Sequence, residues 1–371
     1  MTMLPEIRIL YITERMAAGG TEKQLAALIR GLEASRKVKT HLCALRPSES
    51  LWSSLSIPKI ELGNKRLLSP RAAAQARRLA RFCREHRINL VQTFFQDPSV
   101  FGAALKAMLP VKLIVSFRDL GFWRNRAENL KMRLVYPWAD GFIANSLSVK
   151  THFAAVDKIR PDRIEVLRNG FERRPALPDG LPPAWPGKGR SVVGIVGNCN
   201  RAVKRMGDFI EVAARVKQLR KDAAFIVIGD GSQKQRLQQR SEELGIAGDV
   251  HFTGRLEDPF PYIRQFAVGL STSASEGFSN AVIEYMACGL PVVVTDVDGN
   301  REMVAEGVNG FRVPVGDHGA MAQRVAALLD NPELMRRMGA ENIKTVDERY
   351  SMQRMICAHE DYYVKVLTCN G

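Results

Sequence analysis

Short apolar runs rich in Val, Ile, Leu and Phe recur along the chain, each followed by a segment of helical length, and the series stops once and begins again. The first series reads IRILYI (7–12), THLCAL (40–45), NLVQTF (89–94), VKLIVSF (111–117), GFIAN (141–145) and RIEVL (163–167). Amphipathic stretches such as TEKQLAALIRGLEA and SPRAAAQARRLARFCREH lie between them. RRPALPDGLPPAWPGKGR (173–190) then sets five prolines and three glycines in a row of eighteen, which neither a helix nor a central strand tolerates. The second series follows: SVVGIVG (191–197), AFIVIGD (224–230), DVHFTG (249–254), AVGLST (267–272), LPVVVTD (290–296) and NGFRVPV (309–315). Buried strands alternating with helices predict a parallel sheet covered on both faces. Two series predict two such α/β domains, residues 1–180 and 181–349, Rossmann-like and facing a cleft, with a final helical segment over 350–371. A chain of 371 residues exceeds what one core holds, which agrees. Ligands of such sheets bind at the carboxyl ends of the strands.

Charge separates the two halves. Residues 1–180 carry 31 Lys and Arg against 16 Asp and Glu, whereas residues 181–371 carry 23 of each, so the net +15 belongs to the first half. That half is expected to face an anionic partner. Six cysteines and six histidines are scattered without C-x-x-C or metal-ligand spacing, which fits a reducing compartment and no structural metal. No apolar run approaches the ~18 residues of a membrane-spanning helix. MTMLPEIRILYITE lacks the basic start and long apolar stretch of a signal peptide, so a cytoplasmic protein is expected.

Chemistry concentrates in SASEGFSNAVIEYMACGLPVVVTD (273–296). Glu276 and Glu284 stand seven residues apart around EGFSN, which reads as a helix start with Ser279 or Asn280 as cap and the backbone N–H groups of Gly277 and Phe278 free for a phosphate or a sugar hydroxyl. At 1.5 Å per residue Glu284 is expected ~12 Å further along. Each carboxylate can accept bonds from a pair of hydroxyls. By itself the spacing is common, and two surface glutamates on a capped helix would show it too.

The stretch resembles the retaining family 4 glycosyltransferases of GT-B fold, whose pattern is Glu, seven residues, Glu, then A-x-G-x-P-V-V. Here that pattern is Glu276, Glu284, Ala287, Gly289, Pro291, Val292 and Val293, and the likeness runs on through Glu302 and the turn Asn309-Gly310. A second match is GNCNRAVKRMGDFIEVAARV, where the family has an R-P-V-K pattern and this chain has Arg201 and Lys204, with one extra residue before the arginine. A third is the turn Gly19-Gly20, followed by a helix carrying Thr21 and Glu22. The resemblance implies a metal-independent enzyme without a cofactor that uses a UDP- or GDP-linked sugar and retains its anomeric configuration. Glu276 would position the sugar, Glu284 the ribose, and Arg201 and Lys204 the leaving diphosphate. Gly19, Gly20, Gly277, Phe278, Ser279 and Glu302 would line the donor, and the last helix would cross back to the first domain. The chain departs from the family where many relatives have His-Asp and it has Arg118-Asp119. Arginine accepts no proton at ordinary pH. Arg118 is therefore read as a contact for an acceptor or a phosphate, and no catalytic base is carried over.

On this reading the basic first domain is the acceptor side. Arg71, Arg77, Arg78, Arg81, Arg84 and Arg87 gather on one predicted helix, each worth ~1 kcal/mol beside anionic lipid. That suggests a hexosyl- or N-acetylhexosaminyl-transferase on the inner membrane face, acting on a lipid-linked or polysaccharide acceptor in bacterial-type envelope or exopolysaccharide synthesis. A GT-B sugar-nucleotide epimerase shares the fold, and a non-catalytic anion-binding protein would account for the charge. A nucleic-acid binder would not use the glutamates, and no nucleic-acid partner is expected. An NAD oxidoreductase would need G-x-G-x-x-G with a downstream acid, which is missing.

Overall fold

The computed structural model describes residues 6–17, 19–48, 50–63, 70–121, 124–172 and 189–369. Most of the proline-rich break, residues 173–188, lies outside the described residues. The chain separates into two compact units, one of residues 1–170 with 352–371 and the other of residues 171–351.

The first unit holds β1 (Ile7–Thr13), β2 (Val38–Ala44), β3 (Lys59–Glu61), β4 (Leu90–Phe94), β5 (Lys112–Phe117), β6 (Gly141–Ala144) and β7 (Ile164–Val166), in the order β3-β2-β1-β4-β5-β6-β7. All pairs are parallel. Alternation along the strands feeds two cores. Leu10, Ile12, Val91, Leu113 and Phe142 turn to one face, where they meet Leu79, Phe101, Met132 and Phe153. Those four come from the helices Pro70–Glu85, Gln96–Met108, Arg126–Val135 and Leu147–Val156. Ile9, Tyr11, Leu90 and Ile143 turn to the other face, under Leu25 and Ile29 of the helix Gly20–Ser35 and Ile356 and Tyr363 of the helix Met352–Thr368.

Those last two helices approach closely because residue 31 is glycine; a Cβ there would sit 2.2 Å from Ile356 Cδ1. Burying Tyr363 also requires partners for its hydroxyl. Tyr363 donates to Gln92 Oε1 at 2.6 Å and meets the Tyr11 hydroxyl at 3.0 Å, while Gln92 Nε2 donates to Ser116 Oγ at 2.9 Å. The segment at 352–368 thus completes the first unit's core.

The second unit holds β8 (Ser191–Val196), β9 (Ala223–Ile228), β10 (Val250–Gly254), β11 (Val268–Ser271), β12 (Val292–Thr295) and β13 (Gly310–Val313), ordered β10-β9-β8-β11-β12-β13 and again parallel. The helices Met206–Leu219 and His318–Leu329 cover one face through Phe209 and Val325. The helix Asn280–Ala287 covers the other through Val282 and Tyr285. Strand order reverses between β1 and β4 in one sheet and between β8 and β11 in the other. These are the crevices where doubly wound sheets take ligands. The twelve expected strands are present within a few residues. The additional one, β3, is a three-residue edge strand, KIE, too short to show a period. Among the described residues no helix is long and apolar enough to cross a membrane.

Candidate active site

The second unit's reversal point is built from two loops. After β8 the chain makes a single 3-10 turn over Ala202–Lys204, passes Arg205 in a left-handed conformation (φ 46°), and enters the helix Met206–Leu219. After β11 it runs through residues 272–279 into the helix Asn280–Ala287. Backbone and hydroxyl bonds stitch the loops together. Ala274 N donates to Val203 O at 2.8 Å, and Thr272 Oγ1 lies 3.0 Å from Lys204 O and 3.1 Å from Arg205 O.

This stitching brings Lys204 to Glu276. Lys204 Nζ donates to Glu276 Oε1 at 2.5 Å, and Ser273 Oγ donates to the same oxygen at 2.6 Å. The Glu276 side chain is 8% exposed and that of Lys204 25%. Removing two charges from water is costly, so such a pair adds little to stability, but it holds both groups in place. The loop is pinned from behind as well. Gly299 N donates to Glu276 O at 3.0 Å, Thr295 Oγ1 to Ser273 O at 2.6 Å, and the wholly buried Asn300 donates to Thr295 O at 2.9 Å. A Cβ at Gly299 would lie 2.6 Å from Glu276 O and 2.7 Å from Gly277 O, both backbone, so only glycine lets this helix start approach.

The helix after the loop begins at Asn280, with Ser279 at the N-cap in extended geometry and making no side-chain cap bond. Only the step from Asn280 to Glu284 is therefore helical. The expected continuous rise of ~12 Å from Glu276 does not occur, because residues 276–279 are loop that turns into the site. Gly277, Phe278 and Ser279 are buried in that loop, and Glu284 is half-buried on the helix. Tyr285, fully buried, accepts a bond from Val196 N at 2.6 Å and ties the helix to the end of β8; burial pushes its phenol well above the usual range. Arg201 is exposed and stands outside the Lys204–Glu276 pair. Glu302 lies on the helix Asp298–Met303, where its carbonyl accepts from Tyr350 at 3.3 Å.

Two expected elements lie in the first unit. Gly19 is the N-cap of the helix that begins at Gly20, in extended geometry (φ −82°, ψ 163°). Arg118 follows β5 and lines a partly open pocket together with Phe95, Ser116, Asp119, Arg124 and Tyr136. Its Nη2 donates to Asn169 Oδ1 at 2.5 Å, while its Nε is buried without a hydrogen-bond partner, as are Arg124 Nε and Gln96 Nε2 of the same pocket. Burial lowers the Arg118 guanidinium to about 10 and the carboxylates of Glu22 and Asp119 oppose that shift, so it is charged at neutral pH. Phe95 has φ 72° and ψ 179°, a region that side-chain-bearing residues rarely enter outside functional sites.

Sequence reasoning passed over Thr272, Ser273, Gly299 and Asn300. Gly299 and Asn300 stand in DGNRE with no local signal beyond the glycine itself, since their partners are across the loop.

Two parallel-sheet units with this strand order constitute the GT-B fold. The chain belongs to family 4 of the glycosyltransferases: the family profile Glycosyltransferase Family 4 matches residues 18–174, and that of Glycosyl transferases group 1 matches residues 190–331, together most of the chain. EpsD of Bacillus subtilis (strain 168) is 34% identical over 166 residues, 45% of this chain and 42% of EpsD. The lipopolysaccharide core biosynthesis glycosyltransferase LpsE of Rhizobium meliloti (strain 1021) is 27% identical over 175 residues, 47% of this chain and 49% of LpsE. The chain thus matches less than half the length of each. Among solved structures, Anabaena Alr3699/HepE in complex with UDP is similar with a TM-score of 0.83 and 19% identity over 97% of this chain and 100% of that one. HepE is also known with UDP-glucose.

Proposed function

We propose that the chain is a retaining glycosyltransferase moving a hexosyl or N-acetylhexosaminyl group from a UDP- or GDP-sugar to a lipid-linked or glycan acceptor in envelope or exopolysaccharide synthesis. The observation that carries this reading is the Lys204–Glu276 pair at the second sheet's reversal point. A cation and a carboxylate held side by side match the two ends of a nucleotide-sugar's reacting centre. The ammonium of Lys204 meets the oxygens of the diphosphate, whose charge grows as the glycosidic bond breaks, and Arg201 supplies a second cation from the rim. Glu276 accepts hydroxyls of the transferred sugar, and Glu284 those of the ribose. The loop Gly277–Ser279 and the helix start behind it face the phosphates, Glu302 adds to the donor surroundings, and Arg118 in the first unit meets the acceptor. Fixed geometry and charge supply the rate, without a cofactor and with the diphosphate's charge met by side chains. The names of LpsE and of the UDP-glucose complex of HepE support the donor class and the setting. The protein works at the cytoplasmic face of a membrane.

Thermal shift with UDP, GDP, ADP and NAD tests the donor class, since a bound ligand raises apparent stability. One nucleoside diphosphate should stabilise the protein, and Lys204→Ala should weaken it at least about tenfold, the worth of one charged hydrogen bond. Nucleotide release from the matching sugar donor should persist in EDTA. A protein stabilised by none of the four, or one whose turnover EDTA abolishes and magnesium or manganese restores, would overturn the corresponding part.

A further inference from the structure

Among the long helices of the first unit, the positive charge excess falls on one side of the sheet, which holds seven of the first half's fifteen net charges. The four helices on one side of its sheet, Pro70–Glu85, Gln96–Met108, Arg126–Val135 and Leu147–Val156, carry ten Lys and Arg against three Asp and Glu. The two long helices on the opposite side, Gly20–Ser35 and Met352–Thr368, carry four against four. Arg71, Arg77, Arg81, Arg84, Arg126 and Arg133 are exposed, and none of them makes an ion pair among the described residues.

The same face also bears the unit's exposed apolar side chains. Leu130 is 62% exposed, Leu134 70%, Trp138 44%, Leu147 53%, Val156 48% and Met108 37%. All six belong to these helices or, for Trp138, to the turn that continues one of them, and the opposite side of the sheet presents none among the described residues. Leu130 and Leu134 are one helical turn apart, four residues, so they project together, and Trp138 follows at the next step of four. Arg126 and Arg133 flank them.

We infer that the outer face of this four-helix layer docks on an anionic lipid bilayer, with its arginines among the headgroups and Leu130, Leu134 and Trp138 in the boundary below them. Basic residues gain from the negative surface potential of such a leaflet, and an apolar strip set in a basic surface is what an interfacial element buries. Tryptophan favours that depth because its ring is apolar and its N–H is polar. A nucleic acid would use the arginines but leave the leucines in water. The inference rests on the proposed function only for its purpose, which is to bring the first unit to a lipid-linked acceptor.

The test is sedimentation of the full chain with vesicles of phosphatidylcholine alone or mixed with phosphatidylglycerol. Binding should rise with phosphatidylglycerol and fall as salt shortens the Debye length from ~10 Å at 0.1 M to ~3 Å at 1 M. Replacing Arg77, Arg78, Arg81 and Arg84 together by Gln should lower low-salt partitioning at least about a hundredfold. Leu130→Ser with Leu134→Ser should lower it about tenfold or more at any salt, since insertion and not attraction is removed. These residues are exposed, so both variants fold. Failure to sediment with any vesicle at low salt overturns the inference, as does wild-type binding by both variants. Tighter binding to duplex DNA or RNA than to vesicles, lost in the arginine variant and kept in the leucine one, also overturns it. Nucleoside diphosphate binding measured on the same preparations separates the two readings: a protein that sediments but binds none keeps the docking face and loses the transferase.

Discussion

Replacing Glu276 by glutamine should lower turnover of the donor sugar roughly a hundredfold or more while affinity for the free nucleoside diphosphate holds or rises. The amide keeps the shape of the carboxylate and still accepts from Ser273. It loses the charge that now engages Lys204 at 2.5 Å. Freed from that partner, the ammonium should meet a diphosphate more strongly, whereas the sugar loses its ionised acceptor. The two halves of the pair should thus be separated by one substitution. Nucleotide release measures the first quantity and calorimetry with UDP or GDP the second. Equal losses in both would make Glu276 a support for the loop, and unchanged turnover would remove it from the chemistry.

Gly299→Ala should be the most damaging small substitution near the site. The added methyl would stand 2.6 Å from Glu276 O and 2.7 Å from Gly277 O, and neither backbone atom can turn aside as a side chain would. Overpacking of this kind costs about 1–3 kcal/mol. For a unit of this size that is a fall in Tm of roughly 3–10 °C. Turnover should fall further than stability explains, since the loop that must yield carries Glu276, and a shift of about 1 Å at a reacting centre can cost a hundredfold. Gly248→Ala is the control, because a Cβ at Gly248 meets nothing within 4 Å. An alanine variant at 299 that melts and turns over like the parent would mean the loop is not held from this side.

What could be read from the chain was what is local. Each strand but β3 announces itself by a mainly apolar stretch that needs no partner to be recognised, whereas β3 has only Ile60 to show for three residues. Glu276 and Glu284 were legible because both lie in one segment with a recurring pattern. Their geometry was not: where the helix starts depends on how residues 276–279 meet Gly299 and Thr295, which come later in the chain. The union of Lys204 with Glu276, 72 residues apart, follows from β8 and β11 being neighbours, a fact of topology that no spacing contains. The charge excess was countable at once, but its unequal division between the two helical layers required knowing which side of the sheet each helix covers.

The helix Met352–Thr368 belongs to the first unit, yet a ribosome makes it after all of residues 171–351. At ~5–20 residues per second the first unit therefore waits roughly 10 to 40 seconds for Ile356, Tyr363 and their neighbours, with Leu25 and Ile29 uncovered and Gln92 lacking the hydroxyl it will hold. The second unit has its whole sheet in hand before that. Although it comes later in the chain, it can finish first, and the unit begun earliest is the one most open to aggregation or chaperone capture while translation continues.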